Sequence, residues 1–185
     1  VIGGGNFWRG RSSEGIDRVK ADQIGMLGTV MNCLYVSEIF RTEGMDTAVY
    51  TPYAIGLYTE IFNKDKAVRD LEAGKVVFFA GGTGYPFFST DTAVALRAVE
   101  IQADAIMMAK NIDGIYSADP HKDPNAVRYT QLTYGEALAK NLKATDITAM
   151  ALAMDNDMTM VCFGLDEENS IIRVVRGEEI GTTVK

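Results

Sequence analysis

Two glycine-rich segments of the sequence have the residue types that bind phosphate groups. The first is Gly3-Gly4-Gly5-Asn6, followed by Arg9 and Arg11, and the second is residues 81–86, followed by Asp91. Glycine lets a phosphate approach backbone amides closely, and arginine can hold a phosphate with two parallel hydrogen bonds. Each segment alone could equally be a tight turn that needs positive φ angles. Because both segments follow predicted strands, together they favour a phosphate site.

Several other kinds of site are excluded by the sequence. Trp8 stands where the third glycine of G-x-G-x-x-G would be, and no Gly-Lys-Ser/Thr occurs, so the Rossmann and P-loop motifs are absent. The single histidine, His121, lies in a polar segment. Most zinc sites and Ser-His-Asp triads need more histidine than this chain offers. We therefore predict no protein metal site of that kind.

Composition indicates a folded chain that does not bind nucleic acid. Lys and Arg number 18 against 25 Asp and Glu, which gives a formal charge of −7, and 47% of the residues are hydrophobic. The longest uncharged stretches, residues 23–37 and 76–90, are too short and too polar for a membrane span. Cys33 and Cys162 each lie in an apolar stretch, so we expect two buried free thiols in a reducing compartment.

Helical and strand patterns alternate along the chain, which is typical of an α/β protein with a mainly parallel sheet. We predict one domain over residues 1–185, with Val1-Ile2 as the end of a buried strand. A Thr-x-x-Glu capping box at residues 133–136 predicts a further short helix. The other predicted helices are residues 16–40, 64–73, 89–102, 146–154 and 170–175, and the predicted strands are 47–51, 75–80, 104–109, 159–164 and 181–184.

Five ordered motifs, taken together, resemble the bacterial uridylate (UMP) kinases of the amino acid kinase superfamily. The resemblance covers essentially the whole chain, and the stretch at residues 82–91 selects the UMP branch of the superfamily. The motifs are Gly3-Gly4-Gly5-Asn6 with Arg9-Gly10; Asp17-Arg18, Asp22 and Gly25-Met26-Leu27; Gly82-Thr83-Gly84; Pro86-Phe87-Phe88-Ser89-Thr90-Asp91; and Asp113-Gly114-Ile115-Tyr116 with Ala118-Asp119-Pro120.

The resemblance implies a three-layer αβα sandwich with a mainly parallel central sheet. It implies ATP-dependent phosphorylation of UMP to UDP, with Mg²⁺, in pyrimidine nucleotide biosynthesis in the cytoplasm. It also implies a homohexamer with UTP and GTP as effectors. Residues 1–102 would be mainly the UMP-binding part, and residues 103–185 mainly the ATP-binding part.

The resemblance also assigns roles to individual residues. Arg9 and Asp91 would lie at the reacting phosphates. UMP would be bound by Gly4, Asp22 (at the ribose hydroxyls), Thr83, Gly84, Tyr85, Pro86, Phe87, Phe88, Ser89 and Thr90. ATP would be bound by Gly5, Arg9, Asn111, Tyr116 (near the adenine) and Asp119.

Local sequence offers a structural alternative for most of these residues. Asp22 could be a solvated acid on a helix, Asp91 only a helix cap, and Asp119 only a turn former before Pro120. Phe87 and Phe88 could belong to the core, and Tyr116 could pack a loop. These alternatives stay open at the level of sequence.

Three features depart from the family pattern. Members open with a strand, a Lys-x-Ser-Gly turn and a helix that this sequence does not contain, so we expect it to be a portion of a longer chain. Tyr85 stands where the family usually has an asparagine that contacts the uracil side. The turn Lys110-Asn111-Ile112-Asp113 is one residue shorter than in many relatives, which affects the placement of Asn111.

Two other functions remain compatible with this sequence. One is an amino acid kinase of the same fold that acts on acetylglutamate or aspartate carboxylates. The other is a nucleotide-binding module without catalysis, consistent with the missing lysine turn. A substrate panel separates the first from a UMP kinase, and phosphate transfer by the purified protein eliminates the second. The long helix over residues 16–40, rich in Met and small residues, is the candidate surface for dimer formation.

Overall fold

The computed structural model describes residues 1–10, 14–142 and 145–185. These residues form two compact units, Val1–Ile101 and Gln102–Lys185. Arg11, a candidate phosphate ligand of the first glycine segment, lies outside the described residues.

The first unit is a small parallel sheet with helices on both faces. Its strands are ordered β2-β1-β3 and both pairings are parallel. In chain order its elements are α1 (Arg18–Thr42), β1 (Thr47–Thr51), β2 (Glu60–Ile61), α2 (Lys64–Glu72), β3 (Val76–Phe79) and α3 (Thr90–Glu100).

Alternation along β3 explains this layering. Phe78 packs with Cys33 and Val30 of α1, whereas the next residue, Phe79, packs with Ala67 of α2. Since successive strand side chains point to opposite faces of a sheet, α1 and α2 cover opposite faces of β3. The predicted α/β layering with a parallel sheet is therefore confirmed.

The second unit is built on a mostly parallel sheet of order β4-β6-β7-β5. Strand β7 is antiparallel to β6, and the other two pairings are parallel. The elements are β4 (Ile106–Lys110), β5 (Gln131–Leu132), α4 (Tyr134–Ala139), α5 (Ile147–Asp155), β6 (Met160–Gly164), α6 (Ser170–Val175) and β7 (Thr182–Val184). Cys33 and Cys162 are both buried free thiols, as predicted.

Side-chain caps begin the helices where the sequence signals predict. Asn63 accepts a hydrogen bond from the Lys66 amide at the start of α2, and Asp146 accepts one from the Ala149 amide at the start of α5. Thr133 and Glu136 form the predicted capping box of α4. These caps satisfy backbone donors that the first turn of a helix leaves unpaired.

Two kinds of prediction fail. The two-residue strands β2 and β5 were not predicted, because two residues are too few to show an alternating pattern. Val1-Ile2 is not a strand, since no neighbouring strand pairs with it among the described residues. Ile2 instead packs against the cluster that contains Val30 and Phe78.

A partly buried polar network joins β1 to α2. The hydroxyl of Tyr50, a buried residue, donates to Asp70 Oδ2 at 2.6 Å, and Lys75 Nζ donates to Asp70 Oδ1 at 2.7 Å. These two hydrogen bonds, first that from Lys75 and then that from Tyr50, lower the pKa of Asp70 below its usual value of 3.8. Burial, followed by the bond to Asp70, raises the pKa of Tyr50.

We predict that Asp70→Asn lowers the free energy of unfolding by about 1–2 kcal/mol at pH 7, since a charged acceptor of two bonds is lost. A carboxyl whose pKa is depressed in the folded state contributes stability above its ordinary pKa, and this is lost as the pH falls through the folded value. Urea unfolding from pH 7 to pH 3 should therefore show a smaller loss below about pH 4 in Asp70→Asn than in the parent. Glu72→Gln, an exposed change on the same helix, is the control, and an equal pH profile for both variants would contradict this account.

Candidate functional site

The first unit contains a cavity of about 600 Å³ between α1, the first glycine segment and the loop before α3. Both glycine segments singled out in the sequence contribute to its wall. The lining residues are Gly3, Gly4, Gly5, Trp8, Arg9, Gly10, Arg18, Asp22, Gly25, Met26, Thr29, Gly82, Thr83, Phe87, Phe88, Ser89, Thr90 and Asp91.

The first glycine segment lies directly on the backbone of α1. A Cβ atom added to Gly4 would lie 2.6 Å from the carbonyl oxygen of Gly25 and 2.9 Å from the amide nitrogen of Thr29. The segment does form a turn, since the amides of Phe7 and Trp8 donate to the Gly4 carbonyl oxygen at 3.0 and 3.1 Å. Gly4 has no positive φ angle, however, so close approach to α1 is the reason for glycine at this position. Asn32 Nδ2 also donates to the carbonyl oxygen of Gly3 at 2.7 Å.

The second glycine segment is a turn of the kind that its sequence predicts. Gly81, Gly82 and Gly84 all have positive φ angles, which side chains with a Cβ rarely adopt. The Gly81 amide donates to Thr29 Oγ1 at 2.8 Å, and this hydroxyl donates in turn to the carbonyl oxygen of Met26. Helix α1 therefore holds the start of this loop as well as the first segment.

Asp22 is not a solvated acid. Its side chain is only 13% exposed, and Arg18 Nε lies 2.9 Å from both carboxylate oxygens. The backbone amide of Phe87 donates to Asp22 Oδ2 at 2.8 Å. Asp22 therefore joins the first turns of α1 to the loop that precedes α3.

Phe87 and Phe88 are not core residues. Their side chains are 65% and 50% exposed, and both line the cavity. Phe87 has a φ angle of 72°, a conformation that costs an L residue roughly 1–2 kcal/mol. The core alternative is therefore wrong for both residues, since half or more of each side chain is exposed and each lines the cavity. Hydrophobicity alone does not predict this placement.

Arg9 and Asp91 lie in the same cavity. The guanidinium of Arg9 lies beside Gly5, where an added Cβ would be 3.1 Å from Cζ. Asp91 is in the first turn of α3, but the capping side chain is Ser89, which accepts from the Thr92 amide at 3.2 Å. The alternative that Asp91 is only a helix cap is therefore wrong.

Not every predicted UMP residue lines this cavity. Thr83, Ser89 and Thr90 do, together with the residues described above, whereas Gly84, Tyr85 and Pro86 do not. The Tyr85 side chain is 69% exposed, and its amide donates to Thr83 Oγ1 at 3.2 Å.

Trp8 and Thr29 line the cavity without having been singled out as binding residues. The indole nitrogen of Trp8 is buried and has no hydrogen-bond partner among the described residues. Trp8 directly precedes the candidate phosphate ligand Arg9, and this position is the sequence feature that could have indicated it. Thr29 gave no signal, because a threonine within a helix usually has a structural role.

The second unit contains its own cavity, of about 430 Å³. Of the predicted ATP residues, Tyr116 and Asp119 line it and Asn111 does not. Its full lining is Ile112, Gly114, Ile115, Tyr116, Ser117, Ala118, Asp119, Pro120, Lys122, Lys140, Asn141 and Leu142. Lys122, Lys140 and Asn141 were not predicted, since a lysine or asparagine in a polar segment is usually a solvated side chain.

Tyr116 and Asp119 are each fixed by neighbours. The Tyr116 hydroxyl donates to Asp113 Oδ1 at 2.8 Å, and this bond is the main reason that the pKa of Tyr116 is raised. Arg128 also pairs with Asp113. Asp119 accepts from the His121 amide at 3.0 Å, so it forms the predicted turn and lines the cavity as well.

Among residues 1–10, 14–142 and 145–185, no group of three or more His, Cys, Asp or Glu residues is arranged to hold a metal ion. No helix in this described part of the chain combines the length and the apolar character needed to cross a membrane.

Comparison with known proteins places the chain in a family. The model of the amino acid kinase family matches residues 1–164. The structure superposes on that of UMP kinase from Bacillus anthracis with a TM-score of 0.96 at 36% identity, covering 100% of this chain and 78% of that one. For UMP kinase from Ureaplasma parvum the TM-score is 0.94 at 34% identity, with 100% and 80% covered.

A more distant similarity points to the same family. Uridylate kinase from Archaeoglobus fulgidus matches with a TM-score of 0.69 and 26% identity, covering 92% of this chain and 74% of that one. The motifs of both glycine segments fall inside the residues that the family model matches. The chain therefore belongs to the amino acid kinase family, as a member of its UMP kinase branch.

Proposed function

We propose that this protein transfers the γ-phosphate of ATP to UMP, giving UDP and ADP, as a step of pyrimidine nucleotide biosynthesis in the cytoplasm. The observation that carries this proposal is the first cavity, which brings Arg9, Asp22 and Asp91 together with both glycine segments. Similarity to two UMP kinases over the whole length of this chain supports the same substrate.

The first cavity suits a nucleoside monophosphate. We assign the ribose hydroxyls to Asp22, because a carboxylate accepts hydrogen bonds from two vicinal hydroxyls. The phosphate belongs near Gly4 and Arg9, where a guanidinium supplies two donors. We propose that the base and ribose lie against the cavity-lining residues of the second segment, namely Thr83, Phe87, Phe88, Ser89 and Thr90.

The second cavity suits the adenosine part of ATP. An aromatic side chain beside a base gains stacking energy, and Tyr116 is the aromatic residue in this lining. We assign Asp119 to ATP as well, and we place Gly5 and Arg9 at the transferring phosphate. Asn111 does not line the cavity, so the ATP assignment depends on Tyr116 and Asp119.

The reaction needs positioning and charge neutralisation more than covalent chemistry by the protein. An oxygen of the UMP phosphate attacks the γ-phosphorus of ATP, the bond to the ADP oxygen breaks, and ADP leaves with that electron pair. Arg9 would neutralise charge on the transferring group. Mg²⁺ usually binds through phosphates, waters and one or two carboxylates. An ion that arrives with ATP would supply further charge neutralisation, and Asp91 would be the carboxylate that holds it.

The two other functions are not favoured. The chain shares 36% and 34% identity with two UMP kinases over its full length, which favours UMP over an acetylglutamate or aspartate carboxylate as the acceptor. A binding module without catalysis would not need Arg9 and Asp91 in the same cavity. Phosphate transfer to UMP, and not to acetylglutamate or aspartate, separates all three.

We also propose that copies of the chain assemble, as a homohexamer with UTP and GTP as effectors. Helix α1 exposes an apolar stripe at helical spacing, and its central member, Met31, is 52% exposed. The stripe consists of Ile24, Leu27, Met31, Tyr35 and Ile39. An exposed apolar face of this kind marks a surface that another protein covers, here a second copy.

We predict that Asp22→Asn raises the KM for UMP by about 10- to 100-fold, because a charge-assisted hydrogen bond to a hydroxyl is lost. The KM for ATP should change less than twofold. A coupled assay of ADP release, with UMP and ATP varied in turn, gives both KM values. CMP and AMP, tested as alternative acceptors, report the specificity for UMP. Glu38→Gln removes an exposed carboxylate from the same helix and is the control; equal losses for both nucleotides in Asp22→Asn would contradict the assignment.

We expect the intrinsic fluorescence of the protein to report UMP binding, since Trp8 is its single tryptophan and lines the first cavity. Titration with UMP should shift or quench the emission with saturation. Adenosine alone, which we assign to the second cavity, should leave the emission unchanged. A response to adenosine with none to UMP would contradict the assignment of the two cavities.

We predict that Met31→Glu dissociates the assembly, because a charge at the centre of a covered apolar stripe is costly. Sedimentation velocity should show smaller particles for Met31→Glu and unchanged particles for Lys20→Ala, a surface change on the same helix. Assembly that survives in Met31→Glu would show that α1 does not form the interface.

A further inference from the structure

Arg18, Asp22 and Phe87 form a connected group at the mouth of the first cavity. Arg18 and Asp22 are one turn apart on α1, and Arg18 Nε donates to both carboxylate oxygens at 2.9 Å. The same carboxylate accepts from the Phe87 amide at 2.8 Å. The guanidinium of Arg18 also lies over the Phe87 ring, 5.4 Å from its centroid.

The group fixes a part of the loop that does not fix itself. Phe87 has a positive φ angle, and its ring is 65% exposed, so burial does not hold it in place. Its backbone amide donates a hydrogen bond to Asp22, and its ring contacts Arg18; both partners belong to α1. The strained backbone therefore depends on the helix for its conformation.

The carboxylate of Asp22 has a limited number of acceptor positions. Its two oxygens offer about four lone-pair sites, and Arg18 and Phe87 already occupy several of them. The sites that remain are oriented by these two partners. Without Arg18, the carboxylate could rotate about its side-chain torsions. It would then lose its hydrogen bonds to the Phe87 amide and to a bound hydroxyl.

We propose that Arg18 is a positioning residue for the sugar end of the nucleoside monophosphate. It orients the Asp22 carboxylate so that one part holds the Phe87 amide and another part receives ribose hydroxyls. It also keeps the Phe87 ring at the cavity rim. This inference rests on the proposed function for the identity of the ligand. The claim that Arg18 orients Asp22 and Phe87 concerns the protein without substrate.

The kinetic test compares Arg18→Ala, Arg18→Lys and Lys20→Ala. Arg18→Ala should raise the KM for UMP by about tenfold with kcat and the KM for ATP within twofold, the size expected when a binding group is misoriented. Arg18→Lys keeps a cation near Asp22 and should recover part of the loss. Lys20→Ala removes a cation from the same turn of α1 outside the cavity lining and should behave as the parent.

A second measurement follows the loop without any substrate. Hydrogen exchange of the Phe87 amide should be about tenfold faster in Arg18→Ala than in the parent, while amides of β1 and β3 keep their rates. Asp22→Asn should accelerate the same amide. Unchanged exchange at Phe87 in Arg18→Ala overturns the inference, as does an equal rise in the KM values for UMP and ATP.

The two measurements separate this inference from the proposed function. If the parent does not phosphorylate UMP, the proposed function is wrong, and the Phe87 exchange rate still decides whether Arg18 positions the loop. If the parent phosphorylates UMP and Arg18→Ala has the KM of the parent, the function stands and the positioning role is wrong.

Discussion

The close approach of Gly4 to the backbone of α1 is the contact on which the first cavity depends. A Cβ at Gly4 would meet Gly25 and Thr29 at distances that atoms do not tolerate, and Gly28 faces Gly4 from the helix side. Glycine within a helix lowers helix stability by roughly 1 kcal/mol relative to alanine. Gly25 and Gly28 of α1 therefore weaken the helix locally, and the close packing with Gly4 offsets this loss. This packing places the first glycine segment, which we propose binds phosphate, directly against the surface of α1.

The same helix fixes the opposite wall of the cavity. Thr29 holds the Gly81 amide where the second loop begins, and Asp22 holds the Phe87 amide where it nears α3. Between these two points the loop turns through glycines with positive φ angles. One helix therefore sets the distance between a segment suited to phosphate and a loop suited to a base and ribose. Phosphoryl transfer requires this kind of rigid positioning, because the rate falls steeply when the reacting groups are misplaced.

The sequence predicted the elements of this arrangement better than their contacts. Caps such as Asn63 and the box at Thr133 carry local signals, and the helices and longer strands lie within a few residues of their predicted bounds. The exposure of Phe87 could not be predicted from the sequence. It accompanies one strained backbone angle and a hydrogen bond from the Phe87 amide to Asp22, which is 65 positions away. Thr29 was missed for a similar reason: its hydroxyl binds a residue distant in sequence, and nothing in the local pattern indicates it. The roles that we propose for Asp22 and Asp91 rest on the family resemblance, and the structure adds that both residues line one cavity.

The most direct test of this account is a crystal structure of the protein with UMP. The account predicts the UMP phosphate beside Gly4 and Arg9, with the ribose hydroxyls within hydrogen-bond distance of the Asp22 carboxylate. It also predicts that the Phe87 amide still donates to Asp22. UMP bound in the second cavity beside Tyr116, or bound in the first cavity with its ribose away from Asp22, would contradict the central claim that α1 builds the monophosphate site.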